Sequence, residues 1–461
     1  MEFLTFPPEI RLFIISHISS ISDLASLSQS CRSLHSLCDM STRKRFHRIR
    51  VVSSDDDSIN KIFGLLMEIL KDPKLGNYVR ELVQARKPTF KRPYVETQEQ
   101  RNLGADDRSL LRGAVQNAGF TGPQENAVFN MLMQNDTDLL AEEFRGGHVI
   151  FDSRNRPTRL RSTYIAQALA TMIISVSPNL EFLAISQPFS TCLGLGTTRG
   201  RQQPQNIPDA YFPLDRLLRR LSVDPTTTPY LQNLRKVYMI VGDGDSDGRY
   251  YEESDFLECT TFFNNLSSIE SISTDALYLG DDVRKKLEPG SSNISKIHIN
   301  HSALEMPELV SVVQACKELR EFQYSIGGRA VEEGWTASFN AKRFIKSICP
   351  HKDTLEVLDI DAESNMIQLH FYHFDEDQVD QEFDNDLMGG TAHLLNQGDD
   401  EHQLALSLQE NIESLKDFHA LKRLSLGIGF LIYFAMGVRK DGDLGPRESL
   451  ILPESLPRSL E

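Results

Sequence analysis

One short phrase recurs along the chain and limits what it can fold into. It is an apolar pair three residues apart with polar or charged residues between, followed by apolar–polar alternation. It stands as YVRELV at 78–83, LEFLAI at 180–185, LRKVYM at 234–239, IESIS at 269–273, ISKIHI at 294–299, LREFQY at 319–324, LEVLDI at 355–360 and LKRLSL at 421–426. Each reads as L-x-x-L-x-L, and the alternation at its end suits a strand with one buried face. Helical patterns precede several of these strands, at 61–70, 164–175, 215–221, 303–316 and 341–349, and Pro178 stops the helix before Leu180. A helix–strand unit cannot bury its apolar face alone, and stacking the units solves that. The expected fold class is therefore α/β: an N-terminal helical segment, then an irregular solenoid of parallel strands alternating with helices.

The phrase starts at 234, 269, 294, 319 and 355 are 35, 25, 25 and 36 residues apart. This resembles irregular leucine-rich repeats, without an obvious asparagine at the place where that repeat commonly carries one. Three insertions interrupt the period. Residues 84–107 are polar and charged, 187–230 hold six prolines, and 371–415 hold seven acids between Asp375 and Asp386. Insertions of this length are either solvated loops or binding loops. Trp335, in a glycine-rich turn, is expected to plug the side of a repeat, with a partner anchor as the alternative.

The first fifty residues differ in character. Ile10, Phe13, Ile14, His17 and Ile18 fall at i, i+3, i+4, i+7 and i+8 of one helix face, with Leu12 and Ile15 on another side. Pro7 and Pro8 suit a helix start, and Glu9 meets the positive end of the dipole. A second helix starts at Ser22-Asp23 and carries Leu24, Leu27 and Cys31 on one face; a third carries Leu34, Leu37 and Cys38. The basic run Arg43, Lys44, Arg45, Arg48, Arg50 reads as a solvated helix end. A domain of about 45 residues usually needs disulfides, metal or a partner to be stable. The six cysteines form no C-x-x-C pair and read as small core residues of a reducing compartment. Another protein, or the rest of this chain, must cover the surplus apolar surface.

These residues carry a resemblance. Phe6-Pro7-Pro8-Glu9-Ile10, Leu12, Ile14-Ile15, Ile18, Asp23-Leu24, Leu27-Ser28, Ser30-Cys31-Arg32, Leu34 and Leu37 resemble the F-box over about residues 2–48. Phe6 stands where leucine is usual, and Phe46 takes the place of the tryptophan often found near the motif's end. The order of F-box, then a Tyr-Val-Arg-Glu-Leu strand, then loose helix–strand repeats resembles the large F-box families of filamentous fungi. The phrase LPESLPRSLE at 452–461 fits the start of a further repeat. The resemblance implies a three-helix F-box domain at 1–50, a repeat domain at 51–461, and docking on a Skp-family adaptor and through it a cullin. Phe6, Pro7, Ile10, Ile14, Leu24, Leu27, Cys31 and Leu34 would then face the adaptor or support that face. The alternative for each is an internal core contact, with the segment serving as a helical cap on the larger domain.

Candidate chemistry is sparse. Asp243, Asp245, Asp247 and Gly248 imitate half of a calcium loop, but the twelfth position is Ser254 rather than glutamate. Gly194–Gly200 is one residue off the dinucleotide spacing, and His370, His373 and Asp375 lack a fourth metal ligand. Cys349-Pro-His351 reads as a helix end rather than a nucleophile and base. The expected function is a non-catalytic substrate receptor of a ubiquitin ligase, with no cofactor and no metal. A repeat scaffold outside any ligase and a metal-dependent enzyme are the alternatives. The net charge of −16 argues against nucleic acid or anionic lipid as the partner. Residues 1–10 lack the basic start of a secretory signal, and the longest apolar runs fall short of the roughly 20 residues that span a bilayer. A cytoplasmic or nuclear protein is expected.

Overall fold

The computed structural model describes residues 3–18, 20–51, 58–85, 100–134, 160–188, 212–225, 228–241, 251–278, 287–329, 339, 341–362, 415–427, 430, 436–438, 444–446 and 456–460. Two compact units divide the chain, Met1–Tyr238 and Met239–Glu461.

The first unit begins with four helices: α1 (Pro8–Ser16), α2 (Ile21–Ser30), α3 (Arg32–Cys38) and α4 (Met40–His47). Three were expected. The first part of the basic run, Arg43-Lys44-Arg45, lies in a fourth helix, set off from α3 by Asp39 in the left-handed region (φ 43°), and Arg48 and Arg50 fall in the strand after it. Strand β1 (Arg48–Val51) follows α4 directly, so the expected boundary at residue 50 falls inside a strand. Then come α5 (Ser58–Lys71), a 3-10 turn at Pro73–Tyr78, β2 (Glu81–Gln84), α6 (Ala105–Asn117), α7 (Pro123–Met133), α8 (Leu160–Ser175), β3 (Phe182–Ser186), α9 (Pro213–Val223) and β4 (Lys236–Ile240). The strands lie in chain order β1-β2-β3-β4, with β1 parallel to β2 and β2 parallel to β3.

The core of this unit lies between strands and helices. Leu82 and Leu183 of the strands are sealed, as are Ile62 and Leu66 of α5, Leu169 and Ile173 of α8, and Leu217 and Leu218 of α9. The phrase at 78–83 sits one residue later than its sequence suggests. Val79 and Leu82 take the two apolar places, and Gln84, fully buried, takes the third, its Oε1 accepting the Ser186 N–H. The glycine of the 3-10 turn has a steric purpose. A Cβ on Gly76 would stand 2.1 Å from the Val176 carbonyl oxygen, so only glycine lets the turn lie against the end of α8.

In the second unit β5 (Glu252–Glu253) pairs in parallel with β7 (Leu277–Tyr278). Between them are α10 (Phe256–Thr261) and β6 (Ser271–Asp275). Then follow β8 (Lys296–Asn300), α11 (Met306–Ala315), β9 (Glu321–Ser325), α12 (Ala341–Ile348), a 3-10 turn at Cys349–His351, β10 (Val357–Asp361) and β11 (Arg423–Leu426). Strands β6, β8, β9, β10 and β11 lie in that order, all parallel, with β8 pairing in register so that Ile297 meets Ile272 on one side and Phe322 on the other. A short antiparallel pair, β12 (Met436–Val438) and β13 (Leu444–Pro446), completes the described strands.

The starts of β8, β9, β10 and β11 are built alike. The carbonyl of Glu270 accepts from the Ser295 and Lys296 N–H groups, that of Ser295 from Arg320 and Glu321, that of Arg320 from Glu356 and Val357, and that of Glu356 from Lys422 and Arg423. The second residue of each phrase thus holds the next phrase in register. Behind the sheet an aromatic cluster fills the space under α12: Phe322 lies 5.3 Å from Phe344 between ring centroids, and Phe339 lies 5.5 Å from Phe344. His351 is a wedge in this core. Its Nδ1 accepts from the Leu319 N–H at 3.3 Å, its Nε2 faces the Val313 carbonyl at 3.1 Å, and burial pushes its pKa down.

Candidate functional site

The surface that stands out chemically is one side of α1. Pro7 at the helix start and Pro8 in the first turn fix the entry, and Glu9 sits in that same first turn. On this nine-residue helix Ile15 points inward and is fully buried. Ile10, Leu12, Phe13 and Ile14 are exposed by 45, 46, 62 and 38%. Ile10, Phe13 and Ile14 share one face of this short helix and form an apolar patch that needs a reason, since scattered apolar residues are ordinary but contiguous ones mark contact surfaces. His17 extends it: its ring lies 4.5 Å from that of Phe13, and its Nδ1 sits 2.8 Å from the Phe13 carbonyl oxygen.

The layer beneath makes the patch rigid. Ile15, Leu24, Leu34 and Cys38 form a sealed core, with Phe3, Ile18, Leu27, Cys31, Leu37 and Met40 packed partly buried around it. Burial raises the pKa of the Cys38 thiol, as a small core residue should show. Ser20 caps α2 by accepting the Asp23 N–H at 3.2 Å. Ser28 and His35 tie α2 to α3 at 3.0 Å, and Arg11 reaches from α1 to the Ser33 hydroxyl at 3.3 Å.

The eight residues singled out from the sequence therefore divide. Pro7, Ile10 and Ile14 are at the surface. Phe6 is half-buried with its ring edge-on to Phe3, and Leu27 and Cys31 are half-buried against the core. Leu24 and Leu34 are inside it, at 4 and 5% exposure, where they can support the face but not present it. The set omitted Leu12 and Phe13. The helical spacing that groups Phe13 with Ile10 and Ile14 was the available signal for it. Leu12, on the other side of the helix, is exposed, while Ile15 beside it is buried.

The helical head is seated on the sheet by α4. Phe46 is 1% exposed and belongs to the core. Arg43, expected in solvent with the rest of the basic run, is 9% exposed instead. Its Nε donates to the Cys38 carbonyl at 2.7 Å, because a buried guanidinium must find partners for its donors. The neighbouring cations stay outside, Arg45 pairing with Glu68 at 2.6 Å and Arg48 with Glu81 at 3.4 Å.

Of the other sequence candidates, only Cys349 and His351 lie among the described residues. Asp243–Gly248, Gly194–Gly200, His370, His373, Asp375 and Trp335 lie outside the described residues. Cys349 and His351 belong to a 3-10 turn, with His351 committed to the core. Among the described residues no group of three or more His, Cys, Asp or Glu could hold a metal ion, and no helix is long and apolar enough to cross a membrane.

Residues 3–46 match the family model of the F-box domain. No curated protein matches the chain. The match supports an F-box protein. An F-box domain implies a Skp-binding adaptor role in ubiquitin ligases of the Skp–cullin–F-box type, and proteins that carry one are generally substrate receptors without catalysis of their own.

Proposed function

We propose that this chain is the substrate receptor of a Skp–cullin–F-box ubiquitin ligase. Residues 1–50 act as the docking domain, and 51–461 act as a leucine-rich-repeat-like solenoid that holds a target protein. The observation that carries the reading is the contrast on α1, where Ile10, Phe13 and Ile14 stand in solvent over a core already sealed by Ile15, Leu24 and Leu34. Docking a Skp-family adaptor there removes apolar surface from water without disturbing that core. Phe6, Pro7, Leu27 and Cys31 flank the contact, and Leu24 and Leu34 hold it from behind.

The repeat reading is supported by the parallel strands in chain order and by Ser302. This serine falls eight residues after Ile294, at the place where leucine-rich repeats carry asparagine. Its Oγ accepts the Leu277 N–H at 3.0 Å, a bond from one repeat to the one before. The solvent-side residues of β8, β9 and β10, such as His298, Gln323 and Asp359, alternate with buried ones and give a polar face on which a target can rest. The chemistry of such a receptor is concentration: a tethered lysine meets the charged carrier enzyme far more often than a free one. Its place is the cytoplasm or the nucleus.

Co-purification tests this. The chain is expected to capture a Skp-family adaptor and a cullin, and Ile10→Asp with Phe13→Asp is expected to lose both while the melting temperature holds. Retained capture by that double variant removes the proposed surface. Capture of the adaptor without a cullin turns the chain into a scaffold outside the ligase.

A further inference from the structure

We propose that the solvent side of the second unit's parallel sheet takes an extended basic segment of the target protein, with Lys or Arg side chains at alternate positions. The inference rests on the receptor reading and names its substrate class. Strands β6, β8, β9 and β10 each turn alternate side chains outward over a sealed layer that includes Ile272, Ile297, Phe322 and Leu358. On this outward side of β6 and β8 to β11 stand four acids, Asp275, Glu321, Asp359 and Asp361, and two strong bases, Lys296 and Arg423.

The acids differ in what faces them. Glu321 meets His298 at 3.1 Å and Lys296 at 3.9 Å, and Asp275 meets His301 at 2.9 Å. Asp359 and Asp361, on β10, have only uncharged neighbours in register: Gln323 and Ser425 on either side of Asp359, and Ser325 beside Asp361. The Gln323 amide is turned away, its Nε2 donating to Glu321. Arg423 aligns with Val357 at the strand start, away from the Asp361 end. Neither carboxylate of the β10 pair makes a hydrogen bond or ion pair among the described residues. Asp359 is half-buried and Asp361 exposed. Carboxylates two residues apart on one side of a strand are about 7 Å apart, the same step that separates alternate side chains of any extended segment. Such a segment laid along β10 sets one cation on each carboxylate, and charge-assisted pairs of this kind are stronger than neutral ones. The wider field has the same sign. Residues 239–461 hold 41 acids and 19 Lys and Arg, a net −22, whereas residues 1–238 carry +6. That field draws a basic target to this unit and turns an acidic one away.

Fluorescence anisotropy on the full chain at low ionic strength tests it, with a fluorescein-labelled peptide of alternating serine and arginine and its serine–glutamate counterpart. Asp359→Asn with Asp361→Asn keeps both shapes and removes both charges, where neither side chain has a partner to lose. The arginine peptide is expected to bind and the glutamate peptide not to. The double variant is expected to bind the arginine peptide about tenfold more weakly, with melting temperature and adaptor capture unchanged. Full affinity in the double variant assigns the attraction to the diffuse charge of the unit and overturns the proposal. No binding of the arginine peptide, or equal binding of the two peptides, overturns it too. Adaptor capture by the parent chain is scored separately: its absence strikes the receptor reading, whereas the peptide measurement reports on the sheet alone.

Discussion

The guanidinium of Arg43 stands 4.5 Å from the centre of the Tyr78 ring. Arg43 belongs to α4 and Tyr78 ends the 3-10 turn before β2, so this cation–π contact clamps the helical head to the sheet. The Arg43 Nε bond to Cys38 makes the clamp two-sided. Arg43→Met keeps the aliphatic stem and removes both interactions. The expected loss is about 1–3 kcal/mol, read as a lower urea midpoint. An unchanged midpoint would show that the pairing contributes nothing.

Ile10 and Leu24 both suit an F-box pattern, yet their environments are opposite. Leu24→Ala opens a cavity in a sealed core and is expected to cost about 2–5 kcal/mol. Ile10→Ala trims a side chain that is 45% exposed and is expected to change stability by less than about 0.5 kcal/mol. Equilibrium denaturation of the two variants side by side checks the burial assignment, and equal losses would contradict it.

Glu308, in the first turn of α11, is pushed up to about 7, first by burial and then by the neighbouring Glu305 carboxylate. Its folded pKa thus lies above the unfolded value, so the native state binds the extra proton. That contribution is complete at acid pH and fades as pH rises from about 4.5 through 7. Glu308→Gln mimics the protonated form. It is expected to melt higher than the parent at pH 8 and to match it at pH 4; equal differences at both values would assign the effect to something other than this proton.

Gly76→Ala sets a methyl group against the Val176 carbonyl, a backbone atom that cannot swing away. The expected destabilisation is about 2 kcal/mol or more, with a matching drop in melting temperature. A neutral result would mean that the turn and the end of α8 separate without cost.

The recurring phrase located all of the strands from β2 to β4 and from β6 to β11 that follow it, excepting β7, because period-two alternation is a direct signature of a half-buried strand. Strand β1 escaped notice: Arg48-Ile49-Arg50-Val51 alternates too, but its arginines merged with the basic run before it. Helices α6 and α7 carry too mixed a pattern to be seen by periodicity. Phe13 was legible from helical spacing. The burial of Leu24, Leu34 and Arg43 was not, since the same apolar spacing serves an outer and an inner face and a basic run carries no mark of the ring it will meet. Ser302 shows a similar limit. Its Oγ accepts the Leu277 N–H, a bond that no pattern in the residues around it marks.

Helix α4 ends at His47 and β1 begins at Arg48, and the Arg80 N–H bonds the His47 carbonyl at 3.0 Å across that junction. There is no slack at the neck. Whatever grips α1 also sets the bearing of the adjoining strands, as a handle forged in one piece with its blade does. Re-aiming those strands takes extra residues spliced into the joint, because no swivel is built there.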